Sequence, residues 1–474
     1  MIWSIAWKNV WRNKKRSLVV IVAVTLGIIA GVLLIGIMEG WTKTRLNDAI
    51  HNEVSHIQIH NNEYIKNEEI DITVRNLEEL TRSLDTLREL SGWVKRTKII
   101  AMANTPWANT GVIIYGVDPE KEKQVTEIYR KIVPEGGKYL DAQSPGYILI
   151  SDKTAELLKL KQYIVTDSII EKLRGVKVPE TVLTKLENIK DKRFRSPKDF
   201  REALSNEFTK KELDRFGLLI PDKALNYRIR NKVQITISDM EGIPIQGIFR
   251  VCGIYKTTNT GFDQTTVFVN AGELADLYGG NGILTHEIAI LLNNIDDAGI
   301  IKDKLSRISS ENSVMTWKEL APDAALLNDY MIMYYFMFIG IIMLALAFGI
   351  INTMLMAILE RTKELGMLMA IGMNRKRIFK MIMLETIFLT LVGAAVGILS
   401  GWAITEALGK TGIYFGSWGE GFEAIGFAAR VYPVVTLEFF VLTTIMVIAT
   451  AIIASIWPAR KALKLIPVEA LRTE

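Results

Sequence analysis

Three of the four histidines in this chain lie close together, so they are the first residues to test for metal chemistry. His51, His56 and His60 fall within ten positions, and His56 and His60 share one face if the segment is a strand, because side chains alternate along a strand. A zinc site needs further acidic or thiol ligands in tight geometry. The histidine spacing alone does not supply them, and we predict no metal site.

Gly409-Lys410-Thr411 has the residues that end a phosphate-binding loop. Ile404, however, stands where that motif needs its first glycine, and the tripeptide follows an apolar span instead of a strand. No Ser/His/Asp spacing or pair of carboxylates stands out elsewhere. We therefore predict a chain that is not an enzyme, with no catalytic residues, no cofactor and no ATP site of its own.

The strongest functional signal is a charged segment, residues 360–381, between the apolar spans 331–359 and 382–404. Charges this dense are excluded from hydrocarbon, so the segment is predicted to form a short loop at one face of a membrane. Its basic residues outnumber its acidic ones, which marks that face as cytoplasmic. A helix held there by two membrane helices is suited to pass force between a soluble partner and the bilayer.

Four spans reach the roughly 20 apolar residues that a bilayer requires, namely 17–38, 331–359, 382–404 and 436–457. Overall, 49% of the residues are hydrophobic although 23% are charged, which is typical of membrane helices joined to a large wet domain. The first span is too long for a signal peptide and lacks a clear cleavage site, so we interpret it as a retained helix. The net charge of +5 argues against a dedicated nucleic-acid binder.

Basic clusters near the spans all lie on one side if both termini are cytoplasmic. This orientation makes residues 39–330 and 405–435 extracytoplasmic and residues 458–474 a cytoplasmic tail. Residues 1–16 carry Trp3, Trp7 and Trp11 at helical spacing, which predicts an interfacial helix along the inner surface.

Small and polar residues within the spans are candidates for helix packing. Close approach of membrane helices favours small residues repeated on one face. Such contacts lie either within one subunit or at a seam between two subunits. The candidates are Ala23, Gly27, Gly31, Asn352, Gly393, Gly397 and Gly401.

The large extracytoplasmic segment is predicted to be mixed α/β. Alternating apolar residues at 55–59, 112–115, 233–237, 248–251 and 266–269 indicate strands, and helical periodicity appears at 77–90 and 151–160. A charged block at 162–230 interrupts this pattern. From position 171 to 230 it has 16 lysines and arginines against 10 acidic residues. We interpret it as an inserted helical subdomain, which is either a solvated elaboration or a docking surface.

Residues 360–372 and 458–472 resemble the signature and the closing motif of the FtsX-like permease family, the membrane subunits of a class of ABC transporters. The segments 55–60, 250–255 and 267–270 resemble the lipoprotein-releasing permeases of the LolC/LolE type, and MacB-like exporters are relatives. The resemblance implies an α-helical membrane protein with four transmembrane helices and a large mixed α/β extracytoplasmic domain inserted between helices 1 and 2. Residues 162–230 depart from the family pattern.

By resemblance, the chain is expected to be a permease in the bacterial inner membrane with its large domain in the periplasm. Its expected partners are a cytoplasmic ABC ATPase dimer that holds ATP and Mg, a second permease subunit in a homo- or heterodimer, lipoprotein cargo, a periplasmic carrier protein and membrane lipids. The implied function is mechanotransmission, in which ATP hydrolysis drives extraction of lipoproteins from the outer leaflet. Two alternatives are a MacB-like exporter of periplasmic peptides or drugs and a division-type signalling protein that acts on cell-wall hydrolases.

The same resemblance assigns two further sets of residues. ATPase coupling is expected at Glu360, Arg361, Thr362, Lys363, Glu364, Leu365, Gly366, Ala370 and Gly372. A path for acyl chains is expected between the first helix and the second helix of the paired permease, at Leu33, Leu34, Ile35, Met38, Met331, Met333, Tyr334 and Met337.

Overall fold

The structure, a computed structural model, describes residues 2–12, 14–217, 219–279 and 282–463. Residues 464–474, which include most of the predicted tail and its closing motif, lie outside the described residues. The described chain divides into two compact units. The membrane unit is Met1–Thr44, Leu326–Gly419 and Ala428–Glu474, and the outer unit is Arg45–Ala325 and Glu420–Phe427.

The α-helices of the described chain are, in order, α1 (Ile2–Arg12), α2 (Lys14–Asp48), α3 (Tyr64–Asn67), α4 (Leu77–Thr86), α5 (Pro119–Val125), α6 (Asp152–Leu157), α7 (Asp167–Gly175), α8 (Glu180–Glu187), α9 (Pro197–Glu207), α10 (Lys210–Phe216), α11 (Leu219–Ala224), α12 (Thr260–Thr265), α13 (Ala271–Tyr278), α14 (Ala298–Ile308), α15 (Trp317–Leu320), α16 (Pro322–Glu360), α17 (Thr362–Ala370), α18 (Arg375–Thr411), α19 (Gly419–Ala424) and α20 (Leu437–Leu463).

The strands are β1 (Ile57–Asn61), β2 (Leu90–Asn104), β3 (Asn109–Val117), β4 (Ile132–Gly137), β5 (Tyr147–Ser151), β6 (Lys161–Ile164), β7 (Arg193–Phe194), β8 (Leu225–Tyr227), β9 (Lys232–Ser238), β10 (Pro244–Tyr255), β11 (Thr266–Asn270), β12 (Glu287–Leu292), β13 (Asn312–Thr316), β14 (Ile413–Tyr414) and β15 (Arg430–Val431).

Four helices, α2, α16, α18 and α20, are long and apolar enough to cross a membrane, which confirms the four predicted spans. Each helix extends beyond its apolar stretch, because flanking polar residues are also good helix formers. Their shared core is apolar, with Ile28, Ile339, Leu389 and Val447 fully buried.

The outer unit is built on a ten-stranded sheet in the order β13-β1-β12-β2-β3-β11-β5-β10-β4, with β9 pairing both β10 and β2. Because β9 joins β10 back to β2, six strands (β2, β3, β11, β5, β10 and β9) close into a ring of backbone hydrogen bonds, which leaves those strands no free edge between them. Along β2, Ile99 and Ala101 are buried while Ile100 and Met102 are exposed. This alternation identifies the inner and outer faces of the ring.

The remaining strands pack on helices. β1, β12, β13 and the first half of β2 pair antiparallel, and α4 and α14 contribute Leu80, Leu84, Ile301 and Leu305 to their core. The predicted mixed α/β fold is confirmed. The predicted helix 77–90 was too long, because residues from Leu90 onward pair with β12.

The charged block 162–230 forms a small body with its own core. A three-stranded sheet in the order β7-β6-β8 packs with α7 to α11 around buried Leu173, Leu186, Phe200 and Leu204. Within the block the sequence predicts helical pieces around 168–174, 182–190 and 197–208, and α7, α8 and α9 overlap them. The helices α10 and α11 were not predicted. They are short and amphipathic, and tertiary contacts stabilise such helices more than their own propensity does.

Three buried histidines, His56, His60 and His286, predict a pH dependence of outer-unit stability, because burial lowers the pKa of each. The backbone N–H of Leu292 donates to His56 Nδ1 at 2.8 Å, and burial lowers the pKa of His56 to about 4. Burial also lowers the pKa of His286. Because the unfolded imidazole titrates near 6.5, protons favour the unfolded state. The stability that His56 contributes is full above pH 6.5 and is lost as the pH falls towards 4.

We expect His56 to account for about 3 kcal/mol of lost unfolding free energy over this window, at about 1.4 kcal/mol per pKa unit. Asp263 acts in the opposite direction, since burial raises its pKa to about 7. The matched comparison is therefore His56→Asn, which keeps an acceptor but does not titrate. Chemical unfolding of the full chain in detergent between pH 7.5 and 4.5 should give a flatter profile for this variant. Parallel profiles would contradict the assignment.

Candidate functional site

The connection between α16 and α18 folds as the short helix α17, and local sequence explains its limits. Gly372 adopts a φ of +94°, and its N–H donates to Met369 O while the N–H of Met373 donates to Leu368 O. This left-handed glycine ends the helix as in a Schellman motif. Asn374 then caps α18 by accepting from the N–H of Lys376 at 2.9 Å.

Arg361 fixes the angle of this segment against the membrane helices. Its Nη1 lies 3.1 Å from Glu385 Oε2 on α18, and its Nε lies 3.0 Å from Glu364 Oε2 on α17. The Glu385 side chain is only 2% exposed. A carboxylate this deeply buried requires a paired, hydrogen-bonded cation. Arg361 therefore joins α17 to α18.

Helix α1 belongs to the same network. Arg12 forms an ion pair with Glu364, and this hydrogen bond is the main reason that the pKa of Glu364 lies below its ordinary value. Trp3 and Trp7 pack edge-on against Phe388 of α18, with ring centroids 5.7 and 5.5 Å apart. The sequence indicated an interfacial helix at 1–16 but gave no sign of the Arg12 contact, because its partner lies 352 positions away.

The opposite face of α17, together with its C-cap residue Ile371, is open. Met367 is 51% exposed and Ile371 is 79% exposed, and exposed Lys363 lies beside them. Leu365 and Gly366 are buried. The remaining residues predicted for ATPase coupling are exposed at Glu360, Ala370 and Gly372 and half-buried at Thr362, Arg361 and Glu364. The segment thus has one face bound to the helix bundle and one apolar face surrounded by charge.

The glycine stripe of α18 packs within this chain. A Cβ on Gly393 would lie 2.8 Å from Val24 Cβ, and one on Gly397 would lie 2.9 Å from Ile28 Cβ. Gly401 faces Val32, and Thr25 Oγ1 donates to Gly393 O at 3.1 Å. Of the two interpretations that the sequence left open, contact within one subunit describes this stripe.

The stripe of α2 faces a different helix. Gly27 and Gly31 lie against Leu346, Ile339 and Ile342 of α16, whereas Ala23 is exposed. Asn352 is also exposed, on a face of α16 that does not contact the rest of the bundle core.

The residues of the predicted cargo path divide by burial. Met333 and Met337 are exposed on α16, whereas Ile35 is buried in the bundle. Leu33, Leu34, Met38, Met331 and Tyr334 are half-buried. Ile35, which the sequence predicted to line this path, is therefore not an accessible side chain in this structure.

The remaining candidates from the sequence are the three neighbouring histidines and the segment Gly409-Lys410-Thr411, and their side chains make contacts within the fold. His56 and His60 are buried and bonded to backbone groups, and His51 Nδ1 lies 3.2 Å from Asn47 O. In the described ranges, no group of three or more His, Cys, Asp or Glu is arranged to hold a metal. Gly409, Lys410 and Thr411 lie in the last turn of α18, and Lys410 pairs with Glu406 at 3.1 Å.

Four helices apolar enough to cross a membrane, a charged helix between the second and third, and a large α/β unit define a membrane protein. Residues 336–467 match the FtsX-like permease C-terminal domain. The matched residues include most of α16 and the whole of α17, α18 and the described part of α20.

Proteins of similar sequence include transporter permeases. The chain is 37% identical over 126 residues to the macrolide export ATP-binding/permease protein MacB of Chlorobium luteolum, covering 27% of this chain and 16% of MacB. It is 27% identical over 235 residues to an uncharacterized ABC transporter permease of Methanocaldococcus jannaschii, covering 48% of this chain and 55% of that protein. The chain thus matches at most about half the length of either relative.

Among solved structures, the extracellular domain of the noncanonic ABC-type transporter YknZ from Gram-positive bacteria aligns with a TM-score of 0.29 and 12% identity. The alignment covers 55% of this chain and 99% of that domain.

Proposed function

We propose that this chain couples ATP hydrolysis on a separate ATPase to the extraction of lipoproteins from the outer leaflet of a bacterial inner membrane, for release to a periplasmic carrier. The single observation that carries the proposal is α17, which is fixed to the bundle by Arg361 and presents Met367 and Ile371 outward. In the proposed orientation α17 and both termini are cytoplasmic and the outer unit is periplasmic. The chain itself performs no catalysis.

The exposed face of α17 supports an ATPase partner. An amphipathic helix that places an apolar anchor in a groove is a common mode of recognition, and a central apolar residue within a polar rim often dominates binding energy. Ile371 is the best candidate for that anchor, since it is the more exposed of the two apolar residues.

The ion pairs support transmission of force. A push on α17 would reach α18 through Arg361 and Glu385, and α1 through Glu364 and Arg12. α16 is an unbroken helix of 39 residues, about 58 Å long at 1.5 Å per residue, and it ends at Glu360 beside α17. A continuous helix of this length moves as a stiff element.

Pairing with a second permease is supported by one face of α16. Ile341, Leu344, Phe348, Met356 and Leu359 are exposed large apolar residues at helical spacing, and Asn352 lies in the same row. An amide inside a membrane favours a polar partner over lipid, because hydrocarbon offers no hydrogen bond. A second permease helix would provide that partner.

The cargo proposal depends on the opposite end of α16. Ile332, Met333, Phe336 and Met337 are all exposed there. Methionine adapts to irregular apolar ligands because its side chain is unbranched and flexible, and acyl chains are ligands of this kind. A second candidate is export of peptides or drugs, which is favoured by the similarity to MacB.

The coupling proposal predicts the effect of two substitutions. Ile371→Asp should remove the apolar anchor, and Glu364→Lys should repel Arg12 and Arg361. In each variant, the stimulation of ATP hydrolysis by the permease, measured with the copurified ATPase in lipid nanodiscs, should fall about tenfold or more, since a lost hot-spot contact is worth about 2 kcal/mol or more. Ile300→Asp is the matched control, because Ile300 is an exposed isoleucine of the outer unit. Normal stimulation with both α17 variants would refute the coupling role.

A photo-crosslinking amino acid at Met333 or Met337 separates the two cargo candidates. Lipoprotein release predicts capture of acylated proteins, and less capture once ATP hydrolysis proceeds. The control position is Leu399, which is exposed on α18 and should capture only bulk lipid. Capture of soluble peptides or drug-like molecules at Met333 would instead assign the exporter function.

A further inference from the structure

A cluster of three arginines lies around Trp107 in the outer unit. The guanidinium carbons of Arg195 and Arg228 lie 5.1 and 4.7 Å from the Trp107 ring centroid. Arg193 stands two residues before Arg195, where it pairs with Ile164 on the small sheet of the charged block. Arg195 and Arg228 thus come from two separate strand ends and meet at one indole, and Arg193 is close enough for its charge to act on Arg228.

The three arginines of the cluster lie close together and have no carboxylate counter-ion among the described residues. Several basic residues of the block have carboxylate partners, as in the pairs Lys172–Glu135, Arg174–Glu180, Lys185–Glu212 and Lys190–Asp167. Within the described ranges, none of Arg193, Arg195 and Arg228 forms an ion pair with a carboxylate. Three guanidinium groups close together without a carboxylate repel one another.

The electrostatics of Arg228 agree with this geometry. Burial, followed by the charges of Arg195 and Arg193, lowers the pKa of Arg228. A bound anion would remove the repulsion and use the unpaired donors.

Arg228 and the Trp107 loop are held in place before any ligand arrives, whereas Arg193 and Arg195 are exposed. Arg228 Nε donates to Gln162 Oε1 at 3.2 Å, so its Nη groups are the donors that remain for a ligand. The loop that carries Trp107 is closed by the N–H of Thr105 donating to Ala108 O at 2.9 Å, and Thr105 Oγ1 donates to Leu158 O at 3.0 Å. A preorganised site binds with less loss of conformational entropy.

We propose that Arg193, Arg195, Arg228 and Gln162 form a binding site for a phosphate-bearing anion on the outer unit. Planar guanidinium groups recognise phosphate oxygens with two parallel hydrogen bonds. The three positive charges of the cluster suit a phosphate dianion as ligand better than they suit a carboxylate, which carries only one negative charge. The phosphate belongs either to a lipid headgroup or to a small soluble phosphate compound. This site is independent of the α17 coupling proposal.

The test is isothermal titration calorimetry on the full chain in detergent with three probes. These are inorganic pyrophosphate, short-chain phosphatidic acid and short-chain phosphatidylcholine. We expect saturable binding of pyrophosphate or phosphatidic acid and much weaker binding of phosphatidylcholine, whose phosphate carries a single charge beneath a cation. Binding of phosphatidic acid alone assigns a lipid headgroup, whereas equal binding of pyrophosphate assigns the phosphate group itself.

The variant Arg195→Gln/Arg228→Gln should weaken binding about tenfold or more, because it removes two charge-assisted hydrogen-bond donors. Lys210→Gln/Lys211→Gln removes the same charge from exposed positions of α10 and should leave the affinity unchanged. Both double variants should keep the thermal unfolding midpoint of the unliganded chain. The proposal is overturned if no probe saturates, if the arginine variant binds like the original chain, or if both variants weaken binding equally.

Discussion

Arg361→Leu is expected to lower the unfolding free energy of the membrane unit by about 3–5 kcal/mol, the usual effect of removing one partner of a buried ion pair. The physical reason is Glu385, which is almost fully buried and lies 3.1 Å from the arginine. In the variant, the negatively charged Glu385 no longer has the Arg361 guanidinium beside it, in a site that contains little water. Thermal unfolding in detergent, followed by helical circular dichroism, measures the change.

The double variant Arg361→Leu/Glu385→Leu is the critical control. With both charges absent, most of the lost stability should return, because an apolar pair can replace a buried ion pair at little cost. ATPase stimulation should stay low in the double variant, since α17 is no longer attached to α18 by a directional contact. A single variant as stable as the original chain, or a double variant as unstable as the single one, would contradict this account of Arg361.

Arg96→Met is expected to be at least as destabilising for the outer unit, because it leaves two buried carboxylates without this partner. Arg96 Nη1 lies 2.5 Å from Glu287 Oε1, and Arg96 Nη2 lies 2.7 Å from Glu122 Oε1. Burial by itself would raise the pKa of Glu287, but the charges of Lys98 and Arg96 lower it to about 2. We expect a loss of about 3–5 kcal/mol or more, measured by chemical unfolding of the full chain.

Two comparisons isolate the cause. Arg96→Met/Glu287→Gln should be less destabilised than Arg96→Met, because one of the two carboxylates is then neutral. Arg88→Met removes an exposed arginine and should change stability by no more than about 0.5 kcal/mol. If Arg96→Met and Arg88→Met behave alike, the buried cluster does not stabilise the fold in the way that its geometry indicates.

The membrane spans and the α17 segment were predictable because their signals are local. About 20 consecutive apolar residues define a membrane helix whatever the rest of the chain does, and Gly372 and Asn374 end α17 and begin α18 through backbone contacts within a few positions. Several strands of the outer unit were found for the same reason, since alternation is a property of five or six neighbouring residues. The long strand β2 was missed, because its pairing changes from β12 to β3 and β9 along its length.

The sequence by itself therefore determined the four helices, the charged connection between two of them and the mixed α/β character of the outer unit. Only the tertiary structure decided the contacts between distant positions. It joined Arg12 to Glu364, packed Gly393 and Gly397 of α18 against α2 of the same chain, and gathered Arg195 and Arg228 around Trp107. Apolar length and helix capping act on neighbours in the chain, whereas ion pairs and close helix contacts depend on which surfaces the folded chain brings together.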